Sequence, residues 1–249
     1  MDTKWCALCV SADGTGALTS VELRRRRWQW VLNRKLSTFP AFFSSAQETN
    51  GQGPGKVHFG FLAFWLSTHS RVLEACRAAA RDAAAAGGEQ RRRRPRVLVT
   101  GMSLGAGAAA AGLLYLAREV PEVEFTAVFF GLPRAGDRRY VRQMEVQENI
   151  TGVYRVMYEN DLVAHYPIPL RFGGYRQPEG AWLHLRADAA RSRWRVHRWA
   201  WLLGAKAVGV LAVNKLTCGA ALSSPWTDHD MENTYHKGVM EYVQRRSGE

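Results

Sequence analysis

The chain is poor in cysteine: four among 249 residues, too few and too scattered for a disulfide scaffold. Cys6 and Cys9 form one C-x-x-C, but Cys76 and Cys218 supply no second pair, so the four-ligand set of a structural zinc site is missing and no metal is expected. It also lacks a long apolar run. The longest, Trp199 to Val213, is interrupted by Lys206 and falls short of the roughly 20 residues that span a bilayer. The start, Met-Asp-Thr-Lys-Trp-Cys-Ala-Leu-Cys-Val, has neither the basic n-region nor the apolar length of a signal peptide, which favours a cytoplasmic or peripheral-membrane setting. Acidic residues are scarce, 22 against 34 Lys+Arg, for a net charge of +12. That excess permits attraction to anionic partners and selects none of them, and no nucleic-acid reading motif accompanies it.

Apolar material is plentiful. Hydrophobic residues make up 47% and aromatics 11%, which rules out disorder over the whole chain, and the length suits one α/β domain over residues 1–249. The Ala/Gly stretch 83–88 and Arg91 to Arg94 before Pro95 predict a basic solvated loop over 87–95. Beyond it, Arg96–Thr100 reads as a buried strand, 104–118 as a helix, Phe125–Phe130 as a strand, 137–148 as a helix with Asp137 as N-cap, and Val153–Tyr158 as a strand. Alternating strands and helices imply parallel strands with right-handed crossovers, and a site at their carboxyl ends. Upstream, 61–86 reads as one long helix and Trp5–Val10 as an outlying strand.

Gly101-Met102-Ser103-Leu104-Gly105 fits G-x-S-x-G directly between a predicted strand and helix, the setting of a nucleophile elbow. A serine hydroxyl needs a base, and the base needs an acid to orient it. In chain order the acid and then the base should follow the serine. Asp161 stands just past the third strand, and His229 lies in the polar stretch Asp228-His229-Asp230. The other histidines fit less well: His165 is only four residues from Asp161, His236 sits in the last predicted helix, and His58 and His69 precede the serine. His184 and His197 lie in an aromatic, basic region.

Val57-His58-Phe59-Gly60-Phe61, the Ser103 elbow, Phe129-Phe130-Gly131-Leu132-Pro133-Arg134-Ala135-Gly136-Asp137, Tyr154-Arg155-Val156 with Asn160-Asp161-Leu162-Val163, and Asp228-His229 resemble, in that order, the blocks of the class 3 (fungal-type) lipases. The resemblance covers about residues 57–236. It implies an α/β-hydrolase fold with a mostly parallel sheet flanked by helices, hydrolysis of acylglycerol esters without a cofactor, and a triad of Ser103, Asp161 and His229. Gly131, Pro133 and Arg134 would be scaffold residues.

The chain departs from the family at Met102, where histidine is usual, at Ala106, where a second glycine is usual, and at Ala164, where proline is usual. Only about 56 residues precede the resemblance, and Asp13-Gly14-Thr15 is the nearest counterpart of the family's oxyanion segment. Thr15 is therefore one oxyanion-hole residue to consider, and the Leu104 N–H, next after the nucleophile, is the other. Residues 17–36 stand in the place of a lid or interfacial segment. Within them Arg24 to Arg27 adjoin Trp28 and Trp30, a composition suited to an anionic membrane or lipid-droplet surface. The apolar stretch begun by Trp194 to Leu203 reads first as a buried helix. The expectation is a serine ester hydrolase acting on lipid; the competing reading is a catalytically weak or inactive lipase-like binder of lipid surfaces. Nothing in the sequence addresses oligomeric state.

Overall fold

The structure, a computed structural model, describes residues 6–12, 18–23, 38–40, 55–85, 94–166, 174–179, 181–196 and 231–247, the first three segments by their backbone alone. Among them lie strands β1 (Cys6–Ala12), β2 (Leu18–Leu23), β3 (Thr38–Pro40), β4 (Lys56–His58), β5 (Arg96–Met102), β6 (Glu124–Phe130), β7 (Gly136–Asp137), β8 (Ile150–Tyr158), β9 (Tyr175–Arg176), β10 (Ala181–Leu185) and β11 (Arg193–Val196). The helices are α1 (Phe59–Leu66), α2 (His69–Ala85), α3 (Leu104–Glu119), α4 (Arg138–Glu145) and α5 (Lys237–Ser247), the last preceded by a π-helical stretch, Met231–His236.

A seven-stranded sheet has the order β11-β10-β8-β6-β5-β1-β2, and a smaller one the order β3-β4-β7-β9. The β5, β6 and β8 strands run parallel, as their alternation with helices predicts, and β10, which the sequence did not mark as a strand, joins β8 in the same direction. β1 departs from expectation. It is not outlying but lies between β2 and β5, antiparallel to both. The edge strand β11 likewise returns antiparallel to β10, so residues 193–196 are extended and not the start of a helix. The seven-residue connection from β10 to β11 is too short for a crossover and so allows only that direction.

The expected helix over 61–86 is two helices. Ser67 Oγ donates to Phe64 O at 2.7 Å and Thr68 Oγ1 to Trp65 O at 3.1 Å, so hydroxyls take carbonyls that a continuing helix would use. The break lets α1 and α2 pack separately. Odd-numbered residues of β5 and β6 (Val97, Val99, Phe125, Ala127, Phe129) form the main core with Phe61, Trp65, Val72 and the alanines of α3. The opposite face holds a smaller cluster, in which Val156, Leu183 and Leu185 meet Tyr235, Val239 and Tyr242. Close approach of α1 to α3 depends on glycine: a Cβ at Gly107 would sit 2.7 Å from the Phe61 ring, and one at Gly112 would sit 2.3 Å from the Trp65 ring. Tyr140 then ties α4 to α3 by donating its hydroxyl to Ala110 O and Ala111 O at 2.9 and 2.8 Å.

His58 anchors the β4–α1 junction. Its Nδ1 accepts the Gly60 N–H at 3.0 Å, capping α1, and its ring packs against Phe61 and Tyr175. Burial holds it neutral and pulls its pKa down to about 4. An unfolded chain would take up that proton near the ordinary value of about 6.5, so stability is full above that pH and is lost as pH falls towards 4. The contribution is about 3 kcal/mol at most. Urea midpoints should therefore fall steadily from pH 7 to pH 4.5. His58→Asn, which keeps an acceptor for Gly60, should flatten part of that slope; an unchanged slope would remove His58 as its source.

Candidate active site

Four parallel strands deliver their C-terminal ends to one edge of the large sheet. Met102 on β5 is in register with Phe130 on β6, which is in register with Val156 on β8. The chain leaves β5 at Ser103 and β8 shortly before Asp161, so the two residues follow strands separated by one neighbour, about 10 Å apart in the sheet.

Ser103 has φ 56° and ψ −122°, a left-handed backbone that β-carbon sterics disfavour. Two backbone bonds hold it there: its N–H donates to Phe130 O at 3.0 Å, and its carbonyl accepts the Gly107 N–H at 3.0 Å. The first glycine of the motif is needed for space. A Cβ at Gly101 would lie 2.8 Å from the Ala106 nitrogen and 2.8 Å from the Gly105 carbonyl carbon. The turn is thus an elbow in geometry as well as in sequence. Leu104 is the first residue of α3, so its N–H has no carbonyl of its own helix to meet. Met102, in the place where the family has histidine, packs into the small cluster beside Tyr235.

Asp161 is fully buried. Its Oδ1 accepts the Val163 N–H at 2.8 Å, starting the short 3-10 turn Val163–His165, and its Oδ2 accepts the Tyr235 hydroxyl at 2.5 Å. Ala164, standing in place of the family's proline, is buried against Met157 and Trp182 and gives its carbonyl to Gln177 Nε2 at 2.8 Å. Arg134 closes the loop from the far side: its N–H donates to Tyr166 O at 2.8 Å and its Nη1 to His165 O. Burial and the nearby Arg176 and Arg155 pull the Arg134 guanidinium down to about 10. Gly131, at φ 54°, donates its N–H to Val156 O at 2.9 Å. These bonds brace the Asp161 loop and the end of β8.

Three of the five described histidines have ring contacts away from Ser103. His58 caps α1, His69 Nδ1 lies 2.8 Å from Leu66 O, and His184 Nε2 lies 2.9 Å from Glu159 O. His165 is pulled down to about 4, chiefly by burial and next by Arg134, against the opposing charge of Asp161. His236 is exposed. His229, His197, Thr15 and Arg24 to Arg27 lie outside the described residues, as does the basic connection 87–95 apart from Arg94 and Pro95. Of residues 17–36, Leu18–Leu23 form the edge strand β2, and the remainder lies outside the described residues. Cys6 and Cys9 fall on β1, described by backbone only, while Cys76 is a buried free thiol. Among the described residues no group of three or more His, Cys, Asp or Glu could hold a metal, and no helix is long and apolar enough to cross a membrane.

Tyr235 was not legible as a site residue. One tyrosine six positions past His229 carries no local signal, and only folding of the last helix against the sheet brings its hydroxyl to Asp161. Removing that hydroxyl leaves a buried carboxylate oxygen short of a donor, which costs about 1.5–3 kcal/mol when the bond is to a charged group. Tyr235→Phe should lower the urea midpoint accordingly with an unchanged m-value. Wild-type stability in that variant would mean that Asp161 is satisfied without it.

A family model for lipase (class 3) matches residues 25–170. Among solved structures, the triacylglyceride lipase of Rhizomucor miehei is similar with a TM-score of 0.51 at 21% identity, over 76% of this chain and 64% of that one. The complex of the Rhizomucor miehei lipase with its propeptide gives 0.50 at 22%, over 73% and 52%. Lipase II from Rhizopus niveus gives 0.50 at 18%, over 73% and 63%. The chain thus spans between about half and two thirds of the length of these lipases. No protein of curated description matches it. With its mixed sheet flanked by helices and its serine elbow at the end of β5, the chain belongs to the class 3 lipase family and has the α/β-hydrolase fold.

Proposed function

We propose that the chain is a serine-dependent carboxylic ester hydrolase acting on acylglycerols or related lipid esters. The observation that carries this reading is the left-handed backbone of Ser103 at the carboxyl end of a central parallel strand. Strain of that kind is retained where a side chain must be presented outward. A buried, hydrogen-bonded carboxylate beyond the next strand but one, Asp161, supports it. Membership of the class 3 lipase family supports the lipid ester as substrate.

In this mechanism Ser103 Oγ attacks the ester carbonyl as the His229 imidazole takes its proton. The imidazolium returns that proton to the departing alcohol, leaving an acyl-serine. Water, activated by the same imidazole, then releases the fatty acid and restores the serine. Asp161 orients His229 and stabilises its cationic form. The Leu104 N–H is one donor to the oxyanion, and Thr15 is assigned as the second.

A fluorophosphonate probe tests this directly, because it marks only an activated serine. Wild-type protein should be labelled at Ser103, and Ser103→Ala should not be labelled. On nitrophenyl butyrate, Ser103→Ala and His229→Ala should each lose roughly 10⁴-fold or more, and Asp161→Asn most of its activity. A folded wild type that resists the probe would return the molecule to the class of inactive lipid-surface binders. Full activity in His229→Ala would overturn the choice of base.

The substrate's location generates a further expectation. Arg24 to Arg27 with Trp28 and Trp30 are assigned to contact with an anionic lipid surface, where each cation is worth about 1 kcal/mol. Binding to phosphatidylserine vesicles should exceed binding to phosphatidylcholine vesicles and weaken as salt shortens the screening length. Changing the four arginines to glutamine should remove the difference and leave hydrolysis of a soluble short ester intact. Equal binding to both vesicle types would make the arginines a solvated face.

A further inference from the structure

The segment between β8 and Asp161 contains a second left-handed residue. Among the described residues only Ser103 and Glu159 have positive φ without being glycine, and Glu159 lies at 38°. Nothing in its own chemistry favours that conformation, so its surroundings must hold it there.

They do so through both its backbone and its side chain. The Glu159 N–H donates to Leu185 O at 2.9 Å, and its carbonyl oxygen lies 2.9 Å from His184 Nε2. The carboxylate accepts the Ala187 N–H on Oε1 and Arg186 Nη1 on Oε2, both at 2.7 Å. Every polar group of Glu159 is thus committed to residues 184–187, the end of β10 and the turn after it. The ion pair is well sheltered, with the two side chains 17% and 30% exposed for Glu159 and Arg186. A sheltered, charge-assisted pair holds geometry better than one in full solvent.

The direction of the chain past Glu159 decides where the carboxylate of Asp161 lies. The turn closes when the Asp161 N–H donates to Tyr158 O at 3.0 Å, across Glu159 itself. We propose that Glu159 is a positioning residue: clamped to Arg186 and Ala187, it forces the left-handed turn that sets Asp161 at the carboxyl edge of the sheet. The proposal rests on the reading of Asp161 as the acid of a Ser103 hydrolase. It goes beyond that reading in making the β10 turn, remote in sequence from every assigned catalytic group, part of the active-site geometry.

A purely structural brace and a positioning residue predict different results for Glu159→Gly. Glycine takes a positive φ without strain, so relief of strain offsets loss of the side-chain clamp in the urea midpoint, while the turn is left to its backbone contacts with Leu185 and His184 alone. The full-length variant should remain folded. Its kcat on nitrophenyl butyrate should fall about 10- to 100-fold, as expected when a catalytic group is misplaced by an ångström or less, with KM within about twofold of wild type. The rate of fluorophosphonate labelling at Ser103 should slow in proportion. Arg186→Ala leaves the strained backbone untouched and decides the matter if Glu159→Gly does not fold: it should show the same kcat loss, and Arg186→Lys should recover most of it. Wild-type kcat and labelling in either folded variant, or a change confined to KM, would overturn the proposal while Ser103 stays active. A wild type that is not labelled at Ser103 overturns the hydrolase reading instead, so the two failures are distinguishable.

Discussion

The β5–α3 junction demands a backbone that most residues avoid, and much of the molecule is arranged to supply it. Ser103 sits at φ 56° because its N–H is held by Phe130 O on the next strand and its carbonyl by the first turn of α3. The turn closes only where position 101 has no side chain. It is rigid only if α3 is pinned to the sheet, which explains the run of alanine and glycine from 105 to 112. Small residues let the helix lie low on the strands and let Phe61 and Trp65 of α1 press on it from outside. Tyr140 adds a third attachment from α4. A strained point is thus stabilised by packing that is spread over three helices.

The carboxyl side is built differently. Asp161 is held by polar contacts from distant parts of the chain: the Tyr235 hydroxyl from the segment before α5, the Val163 N–H from its own turn, and Arg134 bracing the loop behind it. Glu159 fastens the approach to β10. Burying a carboxylate is costly unless its oxygens meet donors, and here each oxygen has at least one. The Ser103 side therefore depends on close apolar packing and the Asp161 side on satisfied polar groups, and the two meet at one edge because β5, β6 and β8 are parallel and in register.

Surface charge plays a separate part. Among the described arginines, Arg134 is buried and acts through its hydrogen bonds, and Arg155 on β8 is half-buried with its Nε enclosed. Among the described residues, ion pairs such as Arg77–Glu119 and Arg81–Glu74 are exposed and add little to stability. The net charge of +12 therefore bears on what the molecule meets and hardly on how it folds.

The strands and helices from Arg96 to Tyr158 were legible in the sequence because each carries its own signal: alternation in β5 and β6, the Asp137 cap of α4, small residues opening α3. The serine was legible for the same reason, since an elbow is local and its glycines stand beside it. Most of what the sequence could not reveal depends on partners far along the chain, with one local exception. Two hydroxyls at 67 and 68 divide a helix that periodicity joins, because they compete for carbonyls within one turn. β1 reads as a lone apolar run until β2 and β5 flank it, and residues 193–196 read as helix until β10 offers them a ladder. Tyr235 and Glu159 have no motif at all. Their roles arise from hydrogen bonds to residues 74 and 27 positions away, and only the packing of α5 and β10 against the sheet brings those partners within reach.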